Sequence, residues 1–222
     1  MDEPYHPLEQ SITGVLLAGG QSRRMFTGQA SGGDKGLLAI SGKPMLAHVI
    51  DRLRPQVGCM VINANGDPAR FAAFGLPVTA DTVTGHVGPL AGVLAGMRWA
   101  QTHAPASTHI ATVSTDAPFV PANLVAKLAT GLATNPIALA ASGGELQPVI
   151  GLWPVALAGD LDAALLEGVR KVLAWSNRHG TTAVDFPFIA VGHRTIDPFF
   201  NANTPQELEE ARVLLALQGS QN

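Results

Sequence analysis

At 222 residues the chain is long for one average domain and short for two full ones, so a single α/β domain is the default. Hydrophobic residues make up 46% and charged ones only 14%, enough apolar material for a sizeable core, and the 24 glycines and 16 prolines are too evenly spread for a disordered tract. The net charge of −3 excludes the broad basic field of a nucleic-acid binder, and a single cysteine, Cys59, excludes an intramolecular disulfide and a cysteine-rich zinc site.

Residues 1–10 are polar with two prolines and read as a loose arm. Ile12–Leu17 is a short apolar run with β-branched residues, a buried strand ending at Ala18-Gly19-Gly20. Residues 18–36 lack any apolar period and form a long loop, a length at which function is the usual reason. Leu46, Val49, Ile50 and Leu53 recur at helical spacing after Pro44, predicting a helix to about Val57. A second strand, Cys59–Ile62, runs into Asn63-Ala64-Asn65-Gly66.

A short helix near Pro68–Phe74, a brief strand near Pro77–Thr79 and a polar loop from Asp81 to Gly88 follow. The next helix runs from Pro89 to about Thr102. Gly88, Gly92 and Gly96 stand four apart on one of its faces, a spacing that lets a helix backbone approach its neighbour closely. A third strand, His109–Val113, gives way to Ser114-Thr115-Asp116-Ala117-Pro118. Beyond it the pattern predicts a helix over 121–131, strands near Ile137–Ala140 and Gln147–Trp153, helices near 155–176, a strand at Thr181–Phe186 and a helix from Pro205 to about Gln218.

Strand and helix alternate through the first ~130 residues, which argues a mostly parallel sheet with helices on both faces. Ligands of such sheets sit at the carboxyl ends of the strands. Polar clusters follow strands after Leu17, Ile62 and Val113, so the fold reading becomes a site reading. No stretch approaches the ~20 apolar residues of a membrane span, and the start lacks the basic-then-apolar order of a secretory signal. The expectation is a soluble, cytoplasmic protein that binds neither membrane nor nucleic acid.

Within loop 18–36, Gly19 and Gly20 allow backbone N–H groups to turn toward a phosphate, and Arg23, Arg24 and Lys35 bring positive charge to the same place. An ordinary strand-to-helix turn with surface basic residues is the competing reading. The P-loop is excluded because Gly42-Lys43-Pro44 lacks the hydroxyl that binds magnesium, and the dinucleotide pattern G-x-G-x-x-G is absent. Asp116, at the end of the third strand, is placed to hold Mg²⁺ or, equally, to initiate a turn; Asp81 shares that ambiguity. Thr204-Pro205-Gln206-Glu207 is a helix start of capping-box type, preceded by Asn201 and Asn203 on one side of an extended segment. The histidines make no metal set, and no Ser-His-Asp or G-x-S-x-G pattern supports hydrolysis.

Taken together, Leu17-Ala-Gly-Gly20, Arg23-Arg-Met25, Asp34-Lys35-Gly36-Leu-Leu38 and Gly42-Lys-Pro44 resemble nucleotide-activating transferases on a Rossmann-like sheet. Asn63-Ala-Asn65, Gly88-Pro-Leu-Ala-Gly92, Asp116-Ala-Pro118 and Asn201-Ala-Asn-Thr-Pro205 narrow the resemblance to the molybdenum cofactor guanylyltransferases, over about Thr13 to Leu208. The resemblance implies a Rossmann-like three-layer α/β/α fold of the nucleotidyltransferase (glycosyltransferase-A-like) type, one domain over 1–222. Its nucleotide-binding half would cover about 12–135 and its pterin-side half about 136–218.

The implied reaction joins GTP to the phosphate of molybdopterin, giving a guanine dinucleotide cofactor and pyrophosphate. By the same resemblance Leu17, Ala18, Gly19, Gly20, Lys35, Asn63 and Asp81 contact the nucleotide, with Asn201 and Asn203 beside them. Asp116 binds GTP and Mg²⁺, and Lys35 and Arg24 face the phosphates. The related cytidylyltransferases carry Ala-Ala-Gly where Ala18-Gly19-Gly20 stands here, and acidic residues at the positions of Asn201 and Asn203, which favours guanine. A sugar-phosphate nucleotidyltransferase and a non-catalytic GTP or pterin carrier are the alternatives. The expected state is a monomer in transient contact with molybdoenzymes or cofactor chaperones. Phe26–Gly33 lengthens the family's link between Met25 and Asp34-Lys35 by several residues. On the pterin side, Gln147-Pro148 and Arg170-Lys171 are the candidate contacts, against a reading of Arg170 and Lys171 as solvated helix charge.

Overall fold

The structure, a computed structural model, describes residues 11–19, 34–83 and 88–219. The arm at 1–10, Gly20, Arg23, Arg24 and the 26–33 insertion fall outside these residues. In chain order the principal elements are β1 (Ile12–Leu17), a 3-10 turn (Lys35–Leu37), β2 (Ala39–Ile40), β3 (Lys43–Pro44) and α1 (Met45–Leu53). Then come β4 (Cys59–Asn63), a 3-10 helix (Pro68–Phe74), β5 (Val78–Thr79), α2 (Pro89–His103), β6 (His109–Ser114) and α3 (Leu124–Gly131). The second half holds β7 (Ile137–Ser142), β8 (Glu145–Pro154), α4 (Ala158–Leu166), α5 (Val172–His179), β9 (Thr181–Asp185), β10 (Ile189–Val191), β11 (Arg194–Ile196) and α6 (Pro205–Gly219).

Among the described residues seven strands form the central sheet, in the order β5-β4-β1-β6-β8-β7-β9. All neighbours are parallel except where β8 runs against β6 and β7. The register across the parallel half fixes the site: Leu17 lies opposite both Asn63 and Ser114, and Asn63 lies opposite Thr79. One row of strand ends therefore runs Thr79, Asn63, Leu17, Ser114 along the carboxyl edge of the sheet. The β7–β8 pairing slips at Leu139/Ala140, so residues 148–150 bulge from the ladder. Thr112 pins that bulge, accepting from Trp153 Nε1 at 2.7 Å and donating to the Val149 carbonyl at 2.8 Å.

Alternate residues of the strands enter two cores. One face meets α1 and α3 through Leu46, Val49, Leu53, Leu124, Val125 and Leu128. The other meets α2, α4 and α5 through Leu90, Leu94, Met97, Leu161 and Trp175. The arrangement is the predicted three-layer α/β/α fold. A third cluster seats α6 against β2 and the β10–β11 hairpin, with Phe119 and Leu214 among its fully buried members.

The glycine pattern of α2 has a direct structural reason. A Cβ at Gly96 would stand 2.6 Å from the Val15 side chain, and one at Gly92 would stand 2.4 Å from Asn63 Oδ1 and 2.8 Å from Leu17. Such distances are sterically closed, so only glycine lets α2 lie this near β1 and β4. The two hairpins β2–β3 and β10–β11 escaped the sequence reading because their strands are two and three residues long. The first is closed by Ser41 (φ 48°) and Gly42 (φ 84°), successive left-handed residues suited to a tight hairpin. Among the described residues no helix is long and apolar enough to cross a membrane.

Candidate active site

The strand-end row places the polar clusters side by side. β1 delivers Leu17, Ala18 and Gly19, and Ala18 N–H donates to the Asn63 carbonyl at 2.9 Å, extending the β1–β4 pairing past the last strand residue. Gly19 is exposed at the rim, where a hypothetical Cβ would meet, among the described residues, Asn63 Oδ1 at 3.9 Å.

On the β4–β5 side, Asn63 is buried and its amide donates to Asp81 Oδ1 at 3.0 Å. Asn65 donates to the other oxygen, Oδ2, at 2.7 Å and accepts the Asp81 N–H at 2.9 Å. Residues two apart leaving a strand share a side, and these two grip both oxygens of one carboxylate. Asn63 and Asp81, singled out separately from sequence, are therefore one unit. Asn65 is the member that reading did not assign a role, although its i+2 spacing from Asn63 carried the signal.

On the β6 side, Asp116 is 9% exposed, and segments far apart in sequence converge on it. Lys35 Nζ donates to Asp116 Oδ2 at 3.0 Å and to Asn203 Oδ1 at 2.5 Å. Ser114, two residues earlier, donates to Asp116 Oδ1. Lys35 reaches this point because Gly36 sits against Thr115, where a Cβ would come within 2.9 Å of the threonine side chain. The inserted length before Asp34 thus does not keep Lys35 from the carboxylate.

The 197–204 segment is tied across the same edge. Asp197 accepts from the Ser142 hydroxyl and the Phe199 N–H, both at 2.8 Å, and Ala202 N–H donates to the Asp116 carbonyl at 3.2 Å. The capping box is formed: Glu207 N–H donates to Thr204 Oγ1 at 3.2 Å while Glu207 Oε2 accepts from the N–H groups of Thr204 and Asn203. Glu207 thereby fixes the backbone that presents Asn203. The side-chain oxygen of Asn201 is buried without a hydrogen-bond partner among the described residues.

Arg170 and Lys171 fall in the connection between α4 and α5. The Arg170 guanidinium donates to the carbonyls of Leu165 (2.7 Å) and Val169 (2.9 Å), closing the end of α4. The Arg170 carbonyl lies 3.8 Å from where a Gly88 Cβ would stand, so this connection packs at the start of α2.

A set of hard oxygen and amide groups around one lysine, at the carboxyl ends of parallel strands, has the chemistry to bind a phosphate together with a divalent cation. A family model, the MobA-like NTP transferase domain, matches residues 14–183. A molybdenum cofactor guanylyltransferase of Bradyrhizobium sp. (strain ORS 278) is 49% identical over 94% of this chain and 95% of its own. Among solved structures, molybdopterin-guanine dinucleotide biosynthesis protein A from Archaeoglobus fulgidus aligns with a TM-score of 0.66 at 22% identity, over 92% of this chain and 98% of that one. A Mycobacterium tuberculosis protein solved in complex with manganese aligns at 0.61 and 16% identity, over 92% and 99%. These two structural likenesses carry the fold; the match to the family and to its curated member carries the kinship. The chain belongs to the MobA-like NTP transferases, in the family of the molybdenum cofactor guanylyltransferases.

Proposed function

We propose that this protein transfers GMP from GTP to the phosphate of molybdopterin, forming the guanine dinucleotide cofactor and releasing pyrophosphate. The observation that carries the reading is the convergence of Lys35, Asp116 and Asn203, from three distant segments, at the strand edge that also holds Gly19 and the Asn63–Asp81 pair. The kinship with guanylyltransferases supplies the choice of nucleotide and acceptor.

The family implies Mg²⁺, and the residues fit it. Asp116 offers a hard carboxylate, and the orphaned oxygen of Asn201 leaves a further neutral acceptor on the neighbouring segment. Among the described residues no group of three His, Cys, Asp or Glu could form an all-protein cage. One carboxylate suits Mg²⁺, a cation commonly bound by one or two carboxylates together with substrate phosphates and water. When bound, Mg²⁺ would neutralise phosphate charge in the transition state.

The chain's own residues do the rest by positioning and charge. In the proposal the backbone at Leu17, Ala18 and Gly19, with Gly20, lies along the nucleotide, while Asn63 and Asp81 hold it on the β4–β5 side. Lys35 would turn from Asp116 toward the α-phosphate and the leaving pyrophosphate, and Arg24, outside the described residues, is assigned to the same group in the proposal. The nucleophile is a phosphate monoester oxygen, ionised at neutral pH, so no side chain needs to remove its proton. Catalysis is then orientation plus electrostatic stabilisation. In the proposal residues of about 136–218 form the acceptor side, with Gln147-Pro148 on β8 and exposed Lys171 as its candidate contacts. The enzyme works in the cytoplasm as a monomer, in transient contact with molybdoenzymes or cofactor chaperones.

The test is pyrophosphate release from GTP by the purified protein. Release that requires both Mg²⁺ and molybdopterin supports the reading. Tight binding of GTP and pterin with no release in any condition would make the protein a carrier instead.

A further inference from the structure

Arg70 lies in the 3-10 helix Pro68–Phe74, outside every segment that carries a nucleotide-binding motif. All three of its guanidinium nitrogens are engaged: Nε with Asp34 Oδ2, Nη1 with the Asp67 carbonyl, and Nη2 with the Asn65 carbonyl at 2.6 Å. Its Cζ also rests 4.6 Å from the ring centroid of Phe71, itself buried in the core. A planar fork held at each nitrogen and on a fixed aromatic face has little freedom.

Asp34 immediately precedes Lys35, and the turn Lys35–Leu37 has no side-chain cap; its local bonds are backbone ones, Leu37 N–H to the Asp34 carbonyl at 3.1 Å and Leu38 N–H to that of Lys35 at 3.0 Å. A lone 3-10 turn is weakly held by such bonds. The Asp34 carboxylate is turned away from the turn and toward Arg70, with the pair's side chains 28% and 18% exposed. The other end of the fork holds Asn65, whose amide grips Asp81. One guanidinium thus joins the lysine arm to the Asn65–Asp81 unit.

We propose that Arg70 is a positioning residue of the transferase site: through Asp34 it fixes the backbone that delivers Lys35, and keeps it in register with the Asn63–Asp81 side. The inference rests on the guanylyl-transfer reading for its kinetic consequence, not for the tether itself. A partly exposed ion pair contributes little to global stability, whereas a displacement of about 1 Å at a reacting group costs up to about 10²-fold in rate. A positioning role therefore predicts a large kinetic effect with a small stability effect.

The experiment is a double-mutant cycle of Arg70→Ala with Lys35→Ala, read by turnover, unfolding midpoint and amide hydrogen exchange over residues 34–38. Arg70→Ala should lower kcat about tenfold or more in the parent and less than about twofold in the Lys35→Ala background, as expected when one residue acts through the other. Its midpoint should stay within a few degrees, and exchange at 34–38 should accelerate. Asp34→Asn should reproduce both effects. Equal losses in both backgrounds, or unchanged exchange at 34–38, overturn the proposal. If the parent protein transfers no GMP at all, the transfer reading fails by itself, and the exchange result still decides whether Arg70 holds the arm.

Discussion

Asp116 is where charge, burial and segment convergence meet, and its surroundings say what its loss should do. Its two oxygens are held by Ser114 and Lys35, and both members of the Lys35–Asp116 pair are largely enclosed, at 16% and 12% side-chain exposure. Asp116→Ala leaves Lys35 with Asn203 as its described partner, costing on the order of 1–3 kcal/mol of stability while the sheet around it is untouched. Turnover should fall by about 10³-fold, in the range seen when a single electrostatic stabiliser is removed, with the circular dichroism spectrum of the parent. Substantial activity with magnesium present would remove Asp116 from the mechanism. At this scale the sequence was readable residue by residue but not pair by pair. Lys35, Asn63, Asp81, Asp116 and Asn203 could each be picked out, whereas Ser114, Asn65 and Arg70 matter only through the groups they touch. A hydroxyl two residues before an aspartate, or an arginine in a short helix, has too many ordinary uses to stand out in a string.

At the scale of the element, α2 shows why local pattern and site are linked. Gly92 fits into the angle between Leu17 and Asn63, and Asn63 in turn reaches Asp81. An alanine at position 92 gains helix propensity of roughly 1 kcal/mol, but its methyl would overlap Asn63 Oδ1. Relief requires moving the asparagine or the helix, at about 1–3 kcal/mol. Gly92→Ala should therefore weaken GTP binding by about tenfold through displaced Asn63, read by isothermal calorimetry, and should not raise the unfolding midpoint. An unchanged affinity would mean that the Asn63–Asp81 unit tolerates the shift or takes no part in binding. The four-residue glycine spacing announced close packing, and the apolar runs announced β1, β4 and β6. The direction of β8 was not announced, because period-2 alternation is the same whichever way a strand runs. Hairpins of two- and three-residue strands are likewise too short for any period to register.

Across the whole molecule, titration gives a stability signature separate from catalysis. Burial holds the pKa values of both His48 and His109 below the ordinary histidine value of 6.5. His48 keeps its ring at 3.0 Å from the Ile40 carbonyl, next to the β2–β3 hairpin, and His109 opens β6. The unfolded chain takes up protons on these rings near pH 6.5 while the folded one does so only at lower pH, so stability is full above about 6.5 and declines as the pH falls below it. Asp160 acts lower on the scale: hydrogen bonds from Trp175 and His179 depress its pKa below 3.8, so what it contributes is lost only as the pH falls through that range. The urea midpoint should therefore drop between pH 7 and pH 5, and the drop should shrink when His48 and His109 are both replaced by glutamine. A pH profile unchanged by the double replacement would assign the loss to other groups.

Guanylyl transfer requires the nucleotide edge of the sheet to be selective for guanine. The most direct measurement is equilibrium binding of GTP, CTP, ATP and UTP to the intact protein, with and without Mg²⁺. Binding of GTP at least about tenfold tighter than the other three, strengthened by Mg²⁺, is the predicted result. A preference for CTP would contradict the guanylyltransferase reading and move the chain to cytidylyl chemistry, and no binding of any nucleotide would contradict the site itself.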